Sequence, residues 1–171
     1  FYIALLPAIA RDQLGLDKGG LGFAHSSIGI GAIMALVTLS ALSDRPVKAL
    51  VTRLAMGGVA LGVLLLSQTT NPFYAFPLLG FIGFCAISQF NSTNVLFQLL
   101  SPEPLRGRLI AMHFWAISGV SPIGVLVFSW MADRTSNQVS LFVGGCCLAV
   151  VTLWAWTQKG RVQEPRATGA A

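Results

Sequence analysis

Charge is what this sequence has least of. Only 10% of its 171 residues are Asp, Glu, Lys or Arg, against roughly 25% in an average soluble domain. The shortage is concentrated, because residues 19–43, 54–102, 109–132 and 135–158 contain none of the four. A soluble domain of this size needs more polar surface than that, so a water-soluble fold is excluded. Cysteine is scarce as well. Cys85, Cys146 and Cys147 lie inside the charge-free runs without metal-ligand spacing, which excludes a disulfide framework and a zinc site. The amino terminus has no initiator Met, no basic segment and no small-residue cleavage site, so it is not a signal peptide. No apolar run holds a carboxylate, Lys or Arg, and with them go an intramembrane proton relay and an obvious coupling-cation site. His25 and His113 are the only groups within the runs whose ordinary titration lies near neutrality, and both read as interfacial or packing residues. No nucleophile, base and oxyanion donor stand together, and there is no phosphate loop. The residues therefore support neither an enzyme, nor a cofactor, nor a bound metal.

What is present is apolar length. A helix of 24 residues reaches about 36 Å, enough to cross a hydrocarbon core of about 30 Å. A charge at its middle costs about 2.5–3.5 kcal/mol, which accounts for the exclusion. The expected spans are 21–43, 48–67, 73–100, 109–132 and 138–156. The long run 54–102 must fold back on itself, and Gln68-Thr69-Thr70-Asn71-Pro72 supplies the turn, since the residue before Pro avoids helical backbone. Pro46 and Ser101-Pro102-Glu103-Pro104 mark further breaks. The ten-residue apolar run Phe1–Ala10 is too short to span and reads as the end of a helix. Residues 1–157 thus form one transmembrane domain, and 158–171 a polar tail expected to be disordered. The net charge of +5 does not point to nucleic acid, because the basic residues sit in short segments between apolar runs. Arg45, Lys48, Arg53, Arg106, Arg108, Lys159, Arg161 and Arg166 fall on one side, and Arg11, Lys18 and Arg134 on the other. Eight against three places the carboxy terminus in the cytoplasm.

The chain also repeats itself. ALVTLSALSDR (Ala35–Arg45) aligns with GVLVFSWMADR (Gly124–Arg134) at an offset of 89. The ends of the copies are three membrane crossings apart, an odd number, so they lie on opposite sides: an inverted repeat of three plus three helices, a frequent construction in secondary transporters. One span crowds polar groups together. Asn91, Asn94 and Gln98 share a helical face, with Ser88 above them, and such groups must meet protein or water. Interhelical hydrogen bonding and a water-filled substrate path both satisfy that demand. Trp115, Ser118 and Ser121, at spacings of three, offer a stripe expected to adjoin that face, with an aromatic surface. Gly58 and Gly62, and the ladder Ser27, Gly31, Ala35, mark close helix contact. Gly119, Pro122 and Gly124 make either a kinked, packed helix or a bending element.

Several of these segments resemble the major facilitator superfamily, and within it bacterial exporters of the enterobactin-exporter and transmembrane-secretion-effector type. The likeness rests on LLPAIARDQLG (Leu5–Gly15), the glycine-rich start of the next helix through Ser43-Asp44-Arg45, and FQLLSPEPLRGR (Phe97–Arg108). It implies an all-α integral membrane fold containing the end of helix seven and helices eight to twelve. Asp44 and Arg45 are then similar to the family's gating loop pair, with Lys48 following. Ser40 and Val47 replace that motif's glycines. Arg106 and Arg108 belong to the segment joining helices ten and eleven. The Pro122 element is similar to the antiporter motif of helix five, moved to its symmetry mate. The resemblance further implies a multi-pass protein of the bacterial inner membrane, exporting a small organic molecule by alternating access. Its partners would be the lipid bilayer and a missing amino-terminal six-helix half, which in this family usually holds the coupling acids. An importer of the same superfamily and a non-transporting membrane scaffold are the alternatives.

The charge asymmetry generates a topology test. Reporters fused after Ser101 and after Lys159 are expected in the cytoplasm, and those at Asn71 and Ser136 outside. A cysteine at Asn71 that labels only from the cytoplasmic face would overturn the helix assignment.

Overall fold

The computed structural model describes residues 2–43 and 47–158. Every regular element among them is helical. A short helix α1 (Tyr2–Ala8) continues as a π turn over Ile9–Gln13. Five longer helices follow: α2 (Lys18–Ala41), α3 (Lys48–Gln68), α4 (Pro72–Leu100), α5 (Arg106–Arg134) and α6 (Asn137–Thr157). All five are long and apolar enough to cross a membrane. The expected gating pair Asp44 and Arg45 and the expected disordered tail lie outside the described residues, apart from Gln158, a turn residue.

Local chemistry starts and stops these helices. Gly15, at φ +61°, turns the chain away from α1. The Asp17 carboxylate then caps α2 by accepting from Gly20 N–H at 2.8 Å, satisfying one of the amides a helix start leaves unpaired. Asn71 does the same for α4, accepting from Phe73 N–H at 2.9 Å ahead of Pro72, where a missing N–H costs nothing. Ser136 caps α6 through Val139 N–H at 3.2 Å. Pro102 interrupts the chain after α4, and a 3₁₀ turn over Glu103–Leu105 leads into α5. Pro122 does not interrupt anything: α5 runs through it unbroken.

Glycine decides how the helices meet. A Cβ on Gly31 of α2 would collide with the carbonyl oxygen of Gly80 in α4, and one on Gly83 would lie 3.0 Å from Ile28 Cα. The obstacles are backbone, which cannot swing aside, so these two helices cross at the shortest distance their chains allow. Gly58 and Gly62 of α3 likewise lie against Cys85 and Ile82 of α4. Gly145 of α6 packs on Leu64 of α3. The result is a bundle in which α4 touches α2, α3 and α5, while α3 also holds α6. α2 and its repeat partner α5 end at opposite ends of the bundle. The former ends beside Lys48 and Val51, the latter beside Asp12 and Gln13.

The buried apolar cluster includes Leu6, Ile9, Leu14, Leu66, Leu79 and Leu141. It gathers at the end where α1, the close of α3 and the start of α6 meet. There the Gln13 amide donates to the carbonyls of Leu66 and Thr69, at 2.8 and 2.7 Å, supplying donors to the last turn of α3. α5 is different. None of its residues is buried, and one side-chain bond to it is Ser140 Oγ of α6 donating to the Phe128 carbonyl at 2.7 Å.

Two glycines should therefore respond with opposite sign. Gly31→Ala must push α2 from α4 and is expected to lower unfolding stability in micelles by about 1–3 kcal/mol. Gly119→Ala, with open space around it, should be neutral or stabilise by up to about 1 kcal/mol through the better helix former. Equal shifts would contradict the backbone crossing.

Candidate functional site

The polar span is α4, and its geometry divides the expected residues. Ser88 is buried in the bundle. Asn91 is half-buried and lines a groove with Ser92 and Val95, between α2 and α3. Asn94 is half-buried and Gln98 exposed, and the Gln98 amide donates to Asn94 Oδ1 at 3.0 Å. That bond runs along one helix, so neither side chain is drawn into the interior by it. The face that α4 turns to α5 is aromatic. His113 of α5 sits 4.7 Å from the Phe97 ring and 6.3 Å from Phe90, with Phe114 at 6.0 Å. At 100° per residue, Asn94 and Gln98 fall between the groove side of α4 and this aromatic seam. They form a polar stripe on an open face of the helix.

The stripe on α5 is open too, but it turns another way. Trp115 is 81% exposed, and Ser118 and Ser121 are exposed with it. Two residues separate Trp115 from His113, about 200° around the helix, so the indole faces away from the α4 seam. No hydrogen bond or ring contact joins the two stripes among the described residues. Gly119 is exposed and Gly124 half-buried, and a Cβ on either would meet nothing within 4 Å. Among the described residues neither glycine thus provides a close helix contact, while the proline still leaves the Ser118 carbonyl without its usual partner.

The basic residues mark one end. Lys48, the first residue of α3, is half-buried and its ammonium donates to the Ser43 carbonyl at 2.8 Å. Arg106 and Arg108 are exposed at the start of α5, where the helix dipole disfavours cations. Their position is therefore not a product of helix stability.

Two features escaped the sequence. One is a cavity of about 510 Å³ at the opposite end, bounded by Asp12, Gln13, Asp133, Ser136 and Asn137, where Asn137 Nδ2 approaches Asp12 Oδ2 at 3.5 Å. These residues lie more than a hundred positions apart, and no local pattern announces the meeting. The other is the aromatic cage of His113, whose Nε2 is buried without a hydrogen-bond partner among the described residues. Phe90 and Phe97, on α4 rather than on its own helix, were legible only as apolar residues.

Residues 2–168 match the family model for transmembrane secretion effectors. No curated protein and no solved structure matches the chain.

Exposure on a membrane helix can mean lipid or water, and thiol chemistry separates them. Single cysteines at 94, 98, 118 and 121 are expected to react with an aqueous maleimide several times faster than cysteines at 88, 92 and 96. Uniformly slow labelling would make both open stripes lipid-facing.

Proposed function

Because the chain belongs to the transmembrane secretion effector family, a family of multi-pass membrane transporters, we propose that it forms half of a secondary exporter. Its cargo would be a small organic molecule, such as a siderophore or a drug-like compound. The observation that carries the reading is the polar stripe of Asn94 and Gln98, open on a helix of 29 residues that is otherwise apolar over most of its length. An amide facing hydrocarbon costs several kcal/mol. A water-filled path relieves that cost.

A second six-helix half supplies the other wall. The lack of any buried residue on α5 supports this, since a partner would cover a face this bundle leaves open. Trp115, Ser118 and Ser121 then give the path an aromatic surface and two hydroxyls. Gly119, Pro122 and Gly124 supply a place to bend. Lys48, Arg106 and Arg108, together with Asp44 and Arg45, gate the cytoplasmic mouth. The membrane is the bacterial inner membrane, with the carboxy terminus inside, a reading supported by the eight-to-three distribution of Lys and Arg. Motion follows the rocking of one half against the other.

The test is transport by the chain expressed together with its other half in vesicles of defined orientation. Asn94→Leu and Gln98→Leu are expected to lower efflux per molecule by about three- to tenfold, the worth of one lost hydrogen bond, while folded protein stays near wild-type abundance. Lost abundance with normal specific activity would instead make the stripe a packing surface. Net uptake under the same gradient would reverse the direction.

A further inference from the structure

At the basic end of the bundle, α2 and α3 pack mainly on α4. The space between them is a groove of about 420 Å³. Its walls are mostly apolar, with Leu36 and Leu39 from α2, Val51 from α3 and Val95 from α4, and Ser40 and Asn91 add polar groups to them. Lys48 stands at the rim, at the very start of α3, the depth at which a span meets lipid headgroups.

Ser92 lines the same groove, and it behaves unlike its counterparts. Hydroxyls in membrane helices ordinarily bond the carbonyl four residues back, and here Ser27, Thr38, Thr52, Ser101 and Thr152 all do so. Ser92 does not. It is 2% exposed, and its Oγ has no hydrogen-bond partner among the described residues. A buried hydroxyl left unpaired costs free energy that an acceptor from outside the chain would recover.

We propose that this groove binds an anionic phospholipid. Its phosphate lies by the Lys48 ammonium, one acyl chain runs between Leu36, Leu39, Val51 and Val95, and an ester carbonyl below the phosphate accepts from Ser92 Oγ. Basic pockets between transmembrane helices are suited to such headgroups. The apolar walls select a lipid over a free anion, which would leave them unfilled. A lipid in the groove would set the separation of α2 and α3, whose ends are tied by Lys48 donating to the Ser43 carbonyl at 2.8 Å.

The test is equilibrium binding of fluorescent phosphatidylglycerol and phosphatidylcholine with matched chains to the delipidated chain in micelles. Phosphatidylglycerol is expected to bind about fivefold tighter, the effect of one basic residue near an anionic lipid. Lys48→Gln should erase that preference. Ser92→Leu, which fills the floor, should weaken both lipids, and Arg134→Gln at the far end should change nothing. Unfolding temperatures verify that each variant is folded. Wild-type protein supplies an arm that needs no variant, since raising salt from about 0.1 to 1 M should shrink the preference. Equal affinity for the two lipids, or a preference that survives Lys48→Gln or high salt, overturns the proposal. Displacement by glycerol phosphate alone also overturns it, because it would make the groove a site for free anions.

Discussion

The bundle depends on one backbone crossing. Gly31 of α2 and Gly80 and Gly83 of α4 remove the side chains that would hold the two helices apart, and backbone meets backbone. In a bilayer the surrounding chains are as apolar as leucine, so burial alone supplies little attraction between helices. Close packing and interhelical hydrogen bonds do that work. α4 exploits this twice, with glycine on its own surface toward α2 and with Cys85 and Ile82 set against Gly58 and Gly62 of α3. Its third contact, to α5, uses aromatic rings around His113 instead. Rings hold helices further apart than glycines do, which fits the loose seating of α5.

The packing is uneven along the bundle. Leu6, Ile9, Leu66, Leu79 and Leu141 close one end, where the Gln13 amide also ties α1 to the last turn of α3. At the other end α2 and α3 stand apart and leave the groove that holds Lys48 and Ser92. A bundle tight at one end and open at the other can tilt without breaking its core. That property suits a half-transporter that rocks against a partner, and a lipid in the groove would bias how far it tilts.

Parts of the site were legible in the sequence. Asn94 and Gln98 were singled out by helical spacing, and the structure places them side by side on an open face. Asn91 shares their spacing but lines the groove instead, and Ser88 is buried. Helical periodicity gives an angle about one axis, and it cannot say which neighbour stands at that angle. The same limit applies to Trp115, expected beside the α4 stripe and found facing away from the α4 seam. The role of Gln13 had no sequence signal, because its partners, the carbonyls of Leu66 and Thr69, are backbone atoms.

What the sequence by itself determined is that this chain is all-helical and crosses a membrane repeatedly. The reason is that hydrocarbon rejects charge residue by residue, so the spans are written in composition and length. The turns were equally local, set by Asn71-Pro72 and Ser101-Pro102. Only the tertiary structure decided which face each helix turns inward. α2 and α6 are apolar around nearly their whole circumference, and a helix without a polar side has no preferred side to bury. Orientation then rests on where two glycines from distant parts of the chain can meet, and that is a property of pairs.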